Sequence, residues 1–169
     1  VFFVGGGSNG KSILADVITE LLGEENTTSM GIEYLTLDRF ATANLAGKLL
    51  NVCNEEESKF LRSDKFKAIV TGELIQAERK FGHPFSFRPK TKFLFCTNVL
   101  PSFEGWNYGL SRRIVIVPFF RKFTDEEQDQ ELPYKLKEEL PGIFRWALEG
   151  ARRFTERKHI WKFPIAVKR

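Results

Sequence analysis

The chain has no run of roughly 18 consecutive apolar residues, the length a membrane-crossing helix needs, so no span is expected. It shows no signal-peptide pattern, because its first apolar segment leads straight into a glycine-rich loop. Only two cysteines are present, Cys53 and Cys96, each inside an apolar segment that reads as a strand. That excludes a disulfide framework and predicts two buried, reduced thiols. The two histidines, His83 and His159, have no ligand-like spacing, and a Cys/His metal site has no set of partners. Internal repeats and low-complexity linkers are missing as well. Charge of one sign does not dominate: the net charge of +4 permits a nucleic-acid partner without requiring one.

What is there is aromatic and unevenly charged. Of 169 residues 42% are apolar, enough to fill the core of one domain, and 17 are phenylalanine. Between residues 145 and 169 there are eight Lys/Arg against two Glu, and between 79 and 92 five Lys/Arg and no acid. The acidic stretch 125–139 opposes them and reads as a solvated helix face. The abrupt start, and an end without a helix stop, suggest a fragment of a longer protein.

One motif carries specific chemistry. Gly5-Gly6-Gly7-Ser8-Asn9-Gly10-Lys11-Ser12 fits the P-loop pattern G-x-x-x-x-G-K-[ST]. Val1-Phe2-Phe3-Val4 before it reads as a buried strand. Ile13-Leu14, Val17-Ile18 and Leu21-Leu22 after it have helical spacing, and Gly23 is a helix stop. In that context loop N–H groups and the helix N-terminus favour polyphosphate. Lys11 is expected on the β/γ-phosphates and the Ser12 hydroxyl on Mg²⁺.

The remaining segments alternate as in an α/β protein. Strands are expected at 49–54, 92–98 and 114–117, and helices at 37–45, around Phe66, Ile69 and Val70 with Gly72 closing, at 125–139, and from Ile143 to Ala151. Residues 74–88, with Gly82-His83-Pro84, read as a β-hairpin with its tip at 80–83. Several strands end in polar residues, at the sheet edge where open α/β sheets bind ligands. Glu55 and Glu56 stand at one such end as candidates for holding Mg²⁺ or polarising the attacking water, with Glu57 as a spare. Asn98 ends another, where a carboxamide suits the γ-phosphate or the water. Arg112 and Arg113 suit charge on a transferring phosphoryl group, in cis or on a neighbouring subunit. Arg79, Lys80, Phe81 and His83 at the hairpin tip offer cations and a stacking ring to a nucleic acid. Each has a plainer reading: an acidic loop, a turn asparagine, a solvated arginine pair, a charged surface hairpin.

The order of these motifs resembles the superfamily 3 helicase domain of phage and plasmid replicative primases, with poxvirus-like and papillomavirus-like relatives. The resemblance rests on Gly7-Ser8-Asn9-Gly10-Lys11-Ser12, on Thr71-Gly72-Glu73 leading through Ala77-Glu78-Arg79-Lys80 to Phe85-Ser86-Phe87, and on Thr97-Asn98 with Pro101 and the arginine pair. It implies one P-loop ATPase domain over residues 1–169, with an AAA+-like parallel sheet flanked by helices and an inserted β-hairpin. It further implies a hexameric ring around single-stranded DNA, ATP between subunits, and a cytoplasmic setting in a bacterial or virus-infected cell; the family's primase part and collar region would lie upstream, and the sequence does not say whether a primase is attached. On it Asn98 matches the sensor, Arg112 or Arg113 the arginine finger, and Lys80 and His83 the channel contacts. The triple Glu55-Glu56-Glu57 departs from relatives that interleave a small residue. Two other classes remain open: a small-molecule P-loop kinase, which would transfer phosphate to a metabolite, and a DNA-binding module that binds nucleotide without turnover.

Overall fold

Strands with no polar face must be covered on both sides, and the apolar runs at 1–4 and 93–96 have none. A computed structural model, which describes residues 1–54, 56, 60–104, 108–161, 164 and 167, places both at the centre of an α/β sandwich. Its elements run β1 (Phe2–Val4), α1 (Lys11–Leu22), β2 (Thr27–Thr28), α2 (Ile32–Leu37), β3 (Leu50–Cys53), β4 (Phe60–Arg62), α3 (Ser63–Thr71), β5 (Ile75–Ala77) and β6 (Phe85–Phe87). They continue with β7 (Lys92–Thr97), β8 (Ser102–Glu104), α4 (Tyr108–Ser111), β9 (Ile116–Pro118), α5 (Leu132–Glu138) and α6 (Leu140–Glu156).

The main sheet has the order β2-β3-β7-β1-β9, and every neighbouring pair is parallel. This is the architecture of a P-loop NTPase, as the sequence predicts. Strand alternation divides the core. Phe2, Phe93 and Phe95 face Ile32, Leu35, Phe66 and Ile69 from α2 and α3. Phe3, Leu94 and Cys96 face the other way, with Ala15, Ile18 and Leu22 of α1. Phe95 is fully buried, its ring stacked 5.2 Å from Phe2 and 6.2 Å from Phe93. Burying a side chain of this size contributes about 1.5–3 kcal/mol.

Two smaller pairings complete the fold. β4 and β8 run parallel, and β5 and β6 form the expected antiparallel hairpin, with Ile75 opposite Phe87. Cys53 and Cys96 are reduced thiols in or beside the core, the first partly and the second fully buried. No described helix is long and apolar enough to cross a membrane.

Three expectations need correction. The helix expected at 37–45 is two pieces, α2 and a 3-10 turn at Ala41–Leu45. Asp38 separates them, its Oδ1 accepting from the N–H groups of Phe40 and Ala41 at 2.7 and 2.9 Å. Such a side chain competes with the helix for backbone donors. The single helix expected at 125–139 is a 3-10 turn at Asp125–Glu127, an irregular bend, then α5. Thr124 and Glu127 form a capping box, and Pro133 sits in the first turn of α5, so both pieces carry their own start signal. The last strand lies two residues later than 114 at its start, because Ile114 turns into the core from the bend that precedes β9.

Candidate functional site

The order β3-β7-β1 sets three strand ends side by side at one edge of the sheet. From β1 comes the glycine-rich loop, from β3 come Asn54 and Glu56, and from β7 comes Asn98. All of them line one cavity of about 700 Å³, with Gly7, Ser8, Asn9, Gly10, Lys11 and Ser12 along one side. That volume is in the range of sites that enclose small ligands.

The loop is held by its own polar groups. The Lys11 ammonium donates to the Gly5 carbonyl at 2.6 Å and to Asn9 Oδ1 at 2.9 Å. The other end of the Asn9 carboxamide, Nδ2, donates to the Gly6 carbonyl. Asn9 and Lys11 are both buried. Asn9 therefore ties the lysine to the loop crest, a role the sequence reading did not give it. Gly10 begins α1 with φ 81°, and Ser8 has φ 57°, a conformation that costs a non-glycine residue about 1–3 kcal/mol. Gly5 has no room for a side chain: a Cβ there would lie 2.3 Å from the Phe119 carbonyl oxygen. Beneath the loop, Cys96 Sγ lies 4.0 Å from the Lys11 carbonyl, and burial pushes its thiol up to about 11.

Glu56 is buried at the cavity wall, where its Oε2 accepts from the Ile32 N–H at 2.7 Å. Its own N–H donates to the Cys96 carbonyl at 2.9 Å, which fastens the end of β3 to β7. The carboxylate thus braces the first turn of α2 as well as facing the cavity. Glu55 and Glu57 lie outside the described residues. Asn98 is exposed at the cavity, and Thr97 before it closes a tight turn through Oγ1 and the Val99 carbonyl at 2.6 Å.

A second wall was not foreseen. Phe123, Glu127, Gln128, Asp129, Gln130 and Leu132 line the same cavity from the segment between β9 and α5. Phe123 N–H donates to the Ser8 carbonyl at 2.7 Å, so this segment is attached to the loop crest. The T-x-x-E capping box and Pro133 were the available signals that residues 125–139 are not one solvated helix.

The arginine pair and the hairpin are not among the residues that line the cavity. Arg112 and Arg113 form the turn before β9, at the edge of the sheet opposite the loop. Both are exposed, and the Arg113 guanidinium donates to the Gly109 carbonyl. The hairpin enters the sheet through β7, at that same opposite edge. At its tip Gly82 N–H donates to the Arg79 carbonyl at 2.8 Å, closing a turn around Lys80 and Phe81. Phe81 has φ 63° and is 96% exposed, with the Lys80 ammonium 5.4 Å from its ring centre. His83 and Arg79 are exposed beside it.

Residues 3–113 match a family described as one of unknown function, DUF5906. The chain belongs to that family. This DUF5906 chain is also 31% identical over 153 residues to "Putative helicase L207/L206" of Acanthamoeba polyphaga mimivirus. The match takes in 85% of this chain and 15% of the mimivirus protein. Among solved structures, the apo A form of the NrS-1 C-terminal region superposes with a TM-score of 0.64 at 19% identity, over 83% of this chain and 33% of that one. A second structure of that region gives 0.60 at 19% identity, over 82% and 33%. These likenesses bear out the fold, and the DUF5906 chain spans about a third or less of each of these three relatives.

Proposed function

We propose that this chain is the motor domain of a superfamily 3 DNA helicase, hydrolysing ATP with Mg²⁺ to move on a single strand. The observation that carries the reading is the meeting of the glycine-rich loop, Glu56 and Asn98 in one cavity at adjacent strand ends. The likeness to a protein named as a helicase supports the direction of the proposal. ATP phosphates replace Gly5 and Asn9 as partners of the Lys11 ammonium, because a polyphosphate is a stronger acceptor than a neutral carbonyl. The Ser12 hydroxyl and the Glu56 carboxylate fit Mg²⁺, a hard cation usually held by one or two protein oxygens together with substrate phosphates. When bound, Mg²⁺ neutralises charge on the transferring phosphoryl group. The Asn98 carboxamide orients the attacking water, and Glu55 or Glu56 polarises it.

Arg112 and Arg113 act on the ATP of a neighbouring subunit in a ring, since they lie at the far edge of their own sheet. Arg79, Lys80, Phe81 and His83 grip DNA in the channel, the cations on phosphates and the ring on a base. The test is DNA-stimulated ATPase in the full-length protein, for Lys11→Ala, for Arg112→Ala/Arg113→Ala, and for mixtures of the two. Each variant alone is expected to be inactive, and mixed rings are expected to regain some turnover. Near-normal turnover by Lys11→Ala refutes the ATPase reading, and mixed rings without rescue refute the arginine in trans.

A further inference from the structure

The cavity has two unlike sides. One is the loop with Lys11, and the other is the segment between β9 and α5. Once a triphosphate occupies the loop, and the strand ends bearing Glu56 and Asn98 face the reacting phosphate, the nucleoside is left with the second side. This step rests on the nucleotide-binding reading above.

The polar groups on that side differ in what they have left to offer. Glu127 accepts from Thr124 N–H at 3.0 Å and from Arg121 at 2.9 Å, one bond on each oxygen. Those bonds, the backbone one foremost, hold its carboxyl below the usual carboxylate range. Asp129 accepts from Lys135 at 2.6 Å and from Glu131 N–H at 2.9 Å, again one on each oxygen, and it too is held low, chiefly by the lysine. Gln128 donates to Asp125 Oδ1 at 3.2 Å. Gln130 lines the cavity, and its carboxamide makes no hydrogen bond among the described residues. Phe123 and Leu132 supply apolar surface to the same cavity.

We infer that this segment is the base-reading wall of the site and that Gln130 selects adenine. A glutamine offers one acceptor and one donor side by side, which matches the N6 donor and N7 acceptor of adenine. Guanine presents two acceptors at O6 and N7, which call for two donors from Arg or Lys. Lys11, the only Lys or Arg among the described residues that line the cavity, belongs to the phosphate side. On that side the carboxylates of Glu127 and Asp129 each already accept two bonds from internal partners, one on each oxygen.

Isothermal titration of the full-length protein with ATP, GTP, CTP and inorganic tripolyphosphate, each with Mg²⁺, tests this in wild type, Gln130→Ala and Gln130→Glu. Wild type is expected to prefer ATP. Gln130→Ala is expected to weaken ATP about tenfold, the effect of losing one bidentate base contact, while tripolyphosphate binds unchanged. Gln130→Glu keeps an acceptor but loses the donor, and is expected to lose the ATP preference as well. An unchanged ATP-to-GTP ratio in Gln130→Ala overturns the inference, as does an equal loss for all four ligands. Wild type that binds tripolyphosphate but shows no base preference overturns the inference alone. Wild type that binds none of the four overturns the nucleotide reading with it.

Discussion

The four glycines of the loop look alike in sequence, yet the structure separates them sharply. A Cβ on Gly5 would sit 2.3 Å from the Phe119 carbonyl oxygen, 3.2 Å from its carbon and 2.7 Å from Asn9 Nδ2. The first two are backbone atoms of the segment that follows β9, and Phe119 N–H is itself bonded to the Val4 carbonyl at 2.7 Å. Neither side yields without parting β1 from β9. Gly6 and Gly7 have nothing within 4 Å of a built Cβ, and neither has a left-handed φ. Overpacking of this kind costs about 1–3 kcal/mol, and two of the three contacts being backbone puts Gly5→Ala at the upper end. For a domain of this size about 3 kcal/mol is a fall in Tm of roughly 6–12 °C. Gly6→Ala and Gly7→Ala are expected within about 1 °C of wild type, as for surface changes that meet nothing. Thermal unfolding followed by circular dichroism on the three variants measures the contrast. A Gly5→Ala protein as stable as wild type, or a Gly7→Ala protein that falls as far, would refute the close approach of β1 and β9 at this point. The same displacement moves the Gly5 carbonyl that holds Lys11.

Two further outcomes follow from buried groups. Asn51 is fully buried and clamps Met30, accepting from its N–H at 3.0 Å and donating to its carbonyl at 2.9 Å. Asn51→Ala leaves both backbone groups unpaired and is expected to cost about 3 kcal/mol, read as a lower urea midpoint with unchanged slope; a shift under about 1 kcal/mol would contradict the clamp. Burial pushes the Cys96 thiol up to about 11, so about one thiol in a thousand is ionised at pH 8 and iodoacetamide is expected to spare it in the native protein and label it in urea. Equal labelling rates in the two states would show that the thiol is accessible.

The sheet was legible because its signal is local and strong. The apolar runs at 1–4 and 93–96 carry no polar residue, and the P-loop joins the first of them to a helix whose apolar pairs recur every four residues. The hairpin was legible for a similar reason, since Gly82-His83-Pro84 interrupts an alternating run. What escaped was tertiary. Nothing near Ile32 announces α2, because its first N–H is satisfied by Glu56, twenty-four positions away. Residues 125–139 are acidic enough to pass for a solvated face, and their position over the cavity follows from where β9 delivers the chain. Asn9 matched the motif only as a filler position, and its bonds to Lys11 and Gly6 become visible only when the loop is folded.

The two edges of the sheet explain why one chain holds only part of the proposed machinery. β7 separates its ends by six residues, about 20 Å at the usual rise, with Asn98 at one end and the hairpin at the other. β9 runs parallel to β1, so the arginine turn before it lies at the hairpin's edge while the loop after β1 opens at the other. The length of β9 separates Arg112 and Arg113 from the loop edge of their own sheet. In the proposed ring, two chains packed with opposite edges together would bring a loop and an arginine pair to one junction. They leave the hairpins on the arginine side of each subunit. On the proposed reading, closure of that junction around ATP would bear on the element from which the hairpin projects, through β7, whose far end carries Asn98. The proposed coupling between nucleotide and DNA therefore passes along the central strand of the sheet.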